Sequence, residues 1–252
     1  MGALNGKIAW VTGSSRGIGA AVARRFAREG ARVAVHGRDQ AAIDAVLADV
    51  RAHGDAIATV GDVTRLGDVE RMRGEIEQRL GPIDVLVANA GGSLAPPGPI
   101  EESSEDTWNA TLALNLTSAF LALKSVLPGM KARRSGNVIT ISSAAARRPS
   151  AHAPIPYAAA KAGLQLLTQD VAAQVGPHGI RVNCIAPETI LTERNEQRIP
   201  AQQRAALVGM HPIQRLGTPD DVASAAVFLA SDESAWITGV IVDVAGGSVL
   251  AT

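Results

Sequence analysis

The sequence predicts an α/β fold, with a seven-stranded parallel sheet flanked by helices in a single doubly wound domain over residues 1–252. Three observations predict it. Short apolar, β-branched runs alternate from end to end with polar turns and stripes of helical period. Most of those runs are apolar at nearly every position, as strands covered on both faces must be. The segments between them have the length of the crossovers that parallel strands require.

The first strand is read at residues 7–11 and runs through a glycine-rich turn into a helix over 18–29. Strands follow at 31–35, 56–60, 83–88, 137–141, 180–185 and 240–244, and helices at 41–52, 66–80, 107–131, 157–175 and 219–230. Gly30, Gly54 and Gly81 each end an apolar-periodic stretch, where a left-handed cap is expected. Thr218-Pro219-Asp220-Asp221 offers an N-cap, a proline for the first helical position and acids for the first turn. Segment 187–218 breaks the alternation. It is too long for an ordinary connection, carries a helix-like stretch at 201–210, and is read as a substrate lid.

Composition narrows the function. The 24 basic side chains balance 24 acidic ones. Without a block of like charge the chain lacks the attraction that drives nonspecific nucleic-acid binding, so no nucleic-acid partner is expected. No run approaches the roughly 18 consecutive apolar residues of a membrane span. Met1 leads almost directly into the first strand, so a cytoplasmic protein with no membrane partner is expected. Cys184 is the only cysteine, which excludes an intrachain disulfide and a thiolate cluster. His36, His53, His152, His178 and His211 are dispersed without the spacing of paired ligands, and no metal is expected.

The glycine turn reads Thr12-Gly13-Ser14-Ser15-Arg16-Gly17-Ile18-Gly19. Between a strand and a helix, such glycines allow a tight turn and a close backbone approach, and the helix N-terminus offers N–H groups to a pyrophosphate. The T-G-x-x-x-G-x-G spacing resembles that of the classical short-chain dehydrogenase/reductase family, whose fold is of the Rossmann type. The resemblance runs over residues 7–247, with five motifs in family order. It implies cofactor contacts from Gly13, Ser15, Arg16, Gly17, Ile18 and Gly19. It implies others from Asp62 and Val63 at the adenine, from the Asn89-Ala90-Gly91 turn, and from Pro187, Ile190 and Thr192 beside the nicotinamide. After the second strand stands His36-Gly37-Arg38, with glycine where NAD-dependent members usually place aspartate. Arg38 and Arg16 suit a ribose 2′-phosphate, so NADP(H) is expected in preference to NAD(H). Asp39, one residue on, keeps the NAD reading open.

Tyr157 and Lys161 stand at i, i+4, one turn apart on one helical face. A phenol with a pKa near 10 is a poor base at neutral pH. An adjacent ammonium and a cationic nicotinamide favour the phenolate, and a shift of about three units takes roughly 4 kcal/mol. Ser143 ends the fifth strand, where a hydroxyl can donate to a substrate oxygen. Asn115 is a polar residue in an otherwise apolar helix. The resemblance makes Asn115, Ser143, Tyr157 and Lys161 the catalytic set: Tyr157 is the acid/base and Ser143 holds the carbonyl oxygen. Lys161 tunes Tyr157 and binds the nicotinamide ribose, while Asn115 holds a relay water.

The pattern departs at Glu188, which replaces a family glycine and either faces solvent or takes part in substrate choice. The 144–156 loop is one residue longer than usual and carries three prolines. With 93–99 and 187–218 it is expected to line the substrate pocket. Leu94, Pro96, Ile155, Ile190, Leu191 and Met210 would form an apolar wall; Arg147, Arg148 and Arg194 are within reach of an anionic tail but read as solvated. Ala245 replaces an aspartate common in relatives, with no functional conclusion. The activity implied is NADP(H)-dependent interconversion of a ketone and a secondary alcohol, with 3-oxoacyl-thioester reduction the nearest named reaction. The alternatives are an NAD-dependent alcohol, sugar or steroid dehydrogenase, an epimerase or dehydratase of the extended relatives, and a catalytically silent dinucleotide-binding scaffold. The resemblance also implies a homotetramer, with helices 107–131 and 157–175 in one interface and the last strand in another.

Overall fold

The computed structural model describes residues 2–149 and 154–249. Its strands are β1 (Ile8–Val11), β2 (Arg32–Gly37), β3 (Ala56–Val60), β4 (Val85–Ala88), β5 (Gly136–Ile141), β6 (Ile180–Pro187) and β7 (Ile241–Val244). They form one parallel sheet in the order β3-β2-β1-β4-β5-β6-β7. Val11 pairs with both Val35 and Val87, which brings the carboxyl ends of the three central strands level. Strand order reverses between β1 and β4, and such a switch point opens a crevice at the strand ends.

The helices are α1 (Gly17–Arg28), α2 (Gln40–Arg51), α3 (Leu66–Arg79), α4 (Glu105–Leu112), α5 (Ser118–Arg133), α6 (Ile155–Val175), α7 (Glu193–Arg198), α8 (Ala201–Gly209) and α9 (Pro219–Ala230). They divide between the two sheet faces. Phe26, Ile43 and Val227 from α1, α2 and α9 pack on one, and Met72, Leu123 and Leu164 from α3, α5 and α6 on the other. Burying each such side chain contributes about 1.5–3 kcal/mol, which is why the strands between are apolar on both sides. Thr218 and Asp221 form the reciprocal capping box that starts α9.

Two expectations need correction. The stretch 107–131 is not one α-helix: α4 passes through a π turn at Ala113–Thr117 into α5. The wider turn accommodates an extra residue, and Asn115 sits in it with its amide turned to backbone partners. Gly30 and Gly81 have the left-handed φ expected of caps, at 89° and 107°, but Gly54 does not. α2 has already ended at Arg51 with Ala52 as its cap, so no left-handed residue is needed two positions later. Within Glu105–Arg133 an 18-residue window reaches a mean hydropathy of 1.5, long and apolar enough by length and composition to cross a membrane. Its α5 segment packs on α3, α6 and β4.

Candidate active site

The crevice above the strand ends is a cleft of about 1520 Å³. Every residue expected to hold the cofactor lines it, from Gly13, Ser15 and Arg16 through Arg38, Asp62 and Asn89 to Pro187, Ile190 and Thr192.

Its floor is built around the glycine turn. Gly13 and Gly17 adopt φ of 64° and 56°. A Cβ on Gly19 would lie 2.4 Å from the Gly13 oxygen and 2.5 Å from Asn89 Nδ2, so the turn closes only with glycine there. Asn89 Nδ2 donates to the carbonyls of Thr12 and Gly13, both at 3.0 Å. Thr12 Oγ1 in turn accepts from the amides of Asn89 and Ala90. The Asn89-Ala90-Gly91 turn thus braces the glycine turn from behind and leaves the α1 N-terminus facing the cleft. These features form a cradle that added Cβ atoms would fill, and it fits a dinucleotide pyrophosphate.

At the end of β2, a Cβ on Gly37 would meet Ser15 Oγ at 2.9 Å and Ser15 Cβ at 3.0 Å. A side chain there requires Ser15, and Ile43 Cγ1 at 3.1 Å, to give way. Asp39 is engaged elsewhere, its Oδ1 capping α2 by accepting from Ala41 N at 3.0 Å and Ala42 N at 3.4 Å. Arg16 and Arg38 both line the cleft. Asp62 accepts from the Thr64 hydroxyl and amide, and these bonds hold its carboxyl below the usual range. His36 carries no functional signal in the sequence, yet its ring Nδ1 accepts from Gly13 N at 2.8 Å.

Ser143 follows β5 and caps the short 3₁₀ turn Ala144–Ala146. Its Oγ accepts from Ala145 N at 3.2 Å, which leaves the hydroxyl proton to donate elsewhere. Ser142 faces inward, donating to the Lys161 carbonyl and accepting from Gln165, and is structural. Tyr157 and Lys161 lie in the first turns of α6, with Lys161 Nζ 5.7 Å from the centre of the Tyr157 ring. That ammonium is 3% exposed and donates to the Ile141 carbonyl at 2.7 Å; burial pushes its pKa down to about 8.

The phenol departs from the sequence expectation. Burial raises the pKa of Tyr157 above its ordinary value; a hydrogen bond with Ser143 and the charge of Arg194 lower it, and the Glu188 carboxylate adds to the rise. In the chain alone burial outweighs the Arg194 charge, and Lys161 is turned toward Ile141.

Asn115 is 1% exposed. Its Oδ1 accepts from Gly92 N at 2.8 Å, and its Nδ2 donates to the carbonyls of Gly92 and Thr111. A Cβ on Gly91 would lie 2.7 Å from Asn115 Oδ1 and 3.1 Å from Lys161 Nζ, so the asparagine and the lysine converge beneath this glycine.

Among the residues expected at the substrate, Leu94, Ser143 and Glu188 line the cleft, whereas Ile155 and Leu191 do not. Ile155 opens α6 at the surface, 39% exposed. Ile190 bridges to Gly217 and is buried, so Leu191, next along an extended chain, points the other way. Pro96 and Met210 also lie outside the lining. Arg147 is bound to Asp243 at 3.0 Å, while Arg194 lines the cleft and donates to the Ser93 carbonyl at 3.1 Å. Residues 150–153 of the 144–156 loop lie outside the described residues.

Comparison with known proteins agrees with this geometry. A family profile described as enoyl-(acyl carrier protein) reductase matches residues 13–248. The human dehydrogenase/reductase SDR family member 4 is 37% identical over 250 residues, covering 97% of this chain and 88% of the human protein. The 3-oxoacyl-[acyl-carrier-protein] reductase FabG of Vibrio harveyi is 37% identical over 244 residues, covering 97% and 98%. A crystal structure of a 3-oxoacyl-[acyl-carrier protein] reductase with bound NAD from Brucella melitensis superposes with a TM-score of 0.89 at 31% identity, covering 99% and 95%. The sheet order, the glycine turn and the helix bearing Tyr157 and Lys161 are thus those of an oxidoreductase acting on alcohol and carbonyl groups with NAD(P)(H), and the chain belongs to the short-chain dehydrogenase/reductase family.

Proposed function

We propose that this enzyme interconverts a ketone and a secondary alcohol with NADP(H), and that a 3-oxoacyl thioester is the nearest substrate class. One observation carries the reading. The Ser143 hydroxyl and Tyr157 phenol line the same cleft as Arg16 and Arg38, β2 ends in a glycine and not an acid, and Asp39 is engaged in capping α2.

A bound nicotinamide dinucleotide supplies the hydride in reduction and takes it up in oxidation. Tyr157 gives its phenolic proton to the carbonyl oxygen in reduction and recovers it in oxidation. Ser143 donates to that same oxygen as negative charge develops on it. Lys161, once turned from Ile141 toward a ribose, places an ammonium beside Tyr157 and favours the phenolate. Asn115 fixes the Gly92 backbone next to that lysine, so any relay water is held by the surrounding backbone and not by the committed amide. Segment 187–218, with α7 and α8, acts as the lid of a single catalytic domain spanning 1–252.

Exposed Trp108, Phe120 and Leu166 on α4, α5 and α6, and Trp236 at 99% exposure shortly before β7, support a homotetramer. The lone, buried Cys184 is consistent with a cytoplasmic setting. The test is fluorescence titration with NADPH and NADH, followed by turnover of a ketone panel. Tighter NADPH binding with turnover supports the proposal; preference for NADH returns the enzyme to the NAD-dependent alcohol, sugar or steroid dehydrogenases, and binding without turnover to a silent scaffold.

A further inference from the structure

His36 belongs to no motif, yet it joins the two turns that wall the adenosine half of the cleft. It lies near the end of β2, 3% exposed. The Gly13 amide donates to its Nδ1 at 2.8 Å, and its Nε2 stands 3.2 Å from the Gly61 carbonyl oxygen. An amide N–H can only donate and a carbonyl can only accept, so Nδ1 is bare and Nε2 carries the proton. Burial favours this neutral form, with a pKa pushed down to about 4. The backbone of His36 is tied to the same turn: its N–H donates to Ser14 Oγ, and its carbonyl accepts from Ser14 N, both at 2.8 Å.

Gly13 opens the glycine turn in a left-handed conformation, and Gly61 precedes Asp62, whose carboxylate lies in the cleft. One imidazole therefore sets the distance between them. We infer that His36 is a positioning residue of the dinucleotide site, held as the Nε2–H tautomer, which spaces the glycine turn against the Gly61-Asp62 turn and so sets affinity for the adenosine half shared by both nicotinamide cofactors. The inference rests on reading the cleft as a dinucleotide site. It is independent of the Arg16 and Arg38 preference, because the imidazole acts on the two turns and not on the 2′-phosphate.

The experiment is fluorescence titration of the full chain with NADPH and NADH, in wild type, His36→Asn and His36→Gln. Asparagine places Oδ1 near the position of Nδ1 and keeps an acceptor for Gly13; glutamine carries its amide toward Gly61 and leaves that N–H unmet. Each variant keeps one contact of the bridge and loses the other, so both are expected about 10-fold weaker than wild type for both dinucleotides, with their ratio unchanged. Either variant binding at wild-type strength, or a loss confined to one dinucleotide, overturns the inference. Nitrogen-15 spectra of wild-type His36 give a readout that no variant's folding affects: a protonated Nε2 and bare Nδ1 are expected, and the opposite tautomer overturns it. Wild-type protein that binds neither dinucleotide removes the cofactor reading itself and this inference with it.

Discussion

Lys161 Nζ stands 2.7 Å from the carbonyl oxygen of Ile141, at the end of the strand that leads to Ser143. Burying that ammonium has a stability consequence with a definite sign. Its folded pKa is about 8 against an ordinary 10.5, so between those values the unfolded chain binds more protons, and stability rises with pH through that window. Below pH 8 the full cost of burial is present. Lys161→Met is therefore expected to be more stable than wild type at pH 7, by on the order of 2–3 kcal/mol, while losing turnover. Urea denaturation across pH 7–10.5 checks this, and the advantage should shrink above pH 8. A difference that is flat with pH would show that the charge is not what destabilises the site.

Tyr157 and Ser143 are separable by kinetics. Removing the phenolic hydroxyl in Tyr157→Phe takes away the proton donor and is expected to lower kcat by about 10²–10⁴-fold. Ser143→Ala removes a donor to the developing charge and is expected to cost about 10²-fold. Cofactor dissociation constants should stay within a few-fold of wild type in both. Pre-steady-state hydride transfer reads the loss directly, and a Tyr157→Phe variant with normal kcat overturns the acid/base assignment.

The end of β2 makes a prediction about switching cofactor. Arg16→Ser and Arg38→Ser should each weaken NADPH binding by about 10-fold and leave NADH binding little changed. Gly37→Asp alone should weaken both, because its Cβ meets Ser15 at 2.9–3.0 Å and pushes on the glycine turn. Adding Ser15→Gly removes the closest of those contacts and leaves Ile43 Cγ1 at 3.1 Å, and only the double variant should gain affinity for NADH. Titration of the four proteins decides it; an NADH-preferring Gly37→Asp single variant contradicts the steric argument.

The parts of this molecule that repeat a period were legible in its sequence. Val85–Ala88 and Ile8–Val11 are apolar throughout because helices cover both faces of the sheet, and Thr218 with Asp221 announced the start of α9. Tyr157 and Lys161 were visible from spacing, since a helix turns i and i+4 to the same side. What sequence could not display depends on distant backbone. At the π turn, Asn115 meets Gly92, remote in the chain, whose N–H donates to its side chain and whose carbonyl accepts from it. His36 is recognisable only once Gly13 and Gly61 are brought to its two nitrogens. Leu191's neighbours in sequence point it to the substrate, but the Ile190–Gly217 bridge fixes which of the two faces the cleft.

Arg147 follows the 3₁₀ turn that Ser143 caps, and its guanidinium is bound by Asp243 of β7 through Nε at 3.0 Å and Nη2 at 3.2 Å. Both side chains are largely shielded, at 25% and 15% exposure, so the pair is worth more than a solvated one and less than a fully buried one, about 1–2 kcal/mol. It fastens the Ser143 segment to the last strand, and its charge is already neutralised. An arginine so engaged has little field left for an anionic substrate. Arg147→Gln is accordingly expected to lower stability by that amount and to change kcat/KM for anionic and neutral ketones by the same factor. Asp243→Asn should match it in stability, and the double variant should cost less than the sum of the two because the partners share one interaction. Denaturation curves and a paired substrate series test both statements. A loss of more than 10-fold restricted to anionic ketones would mean that Arg147 leaves Asp243 during turnover and reads the substrate.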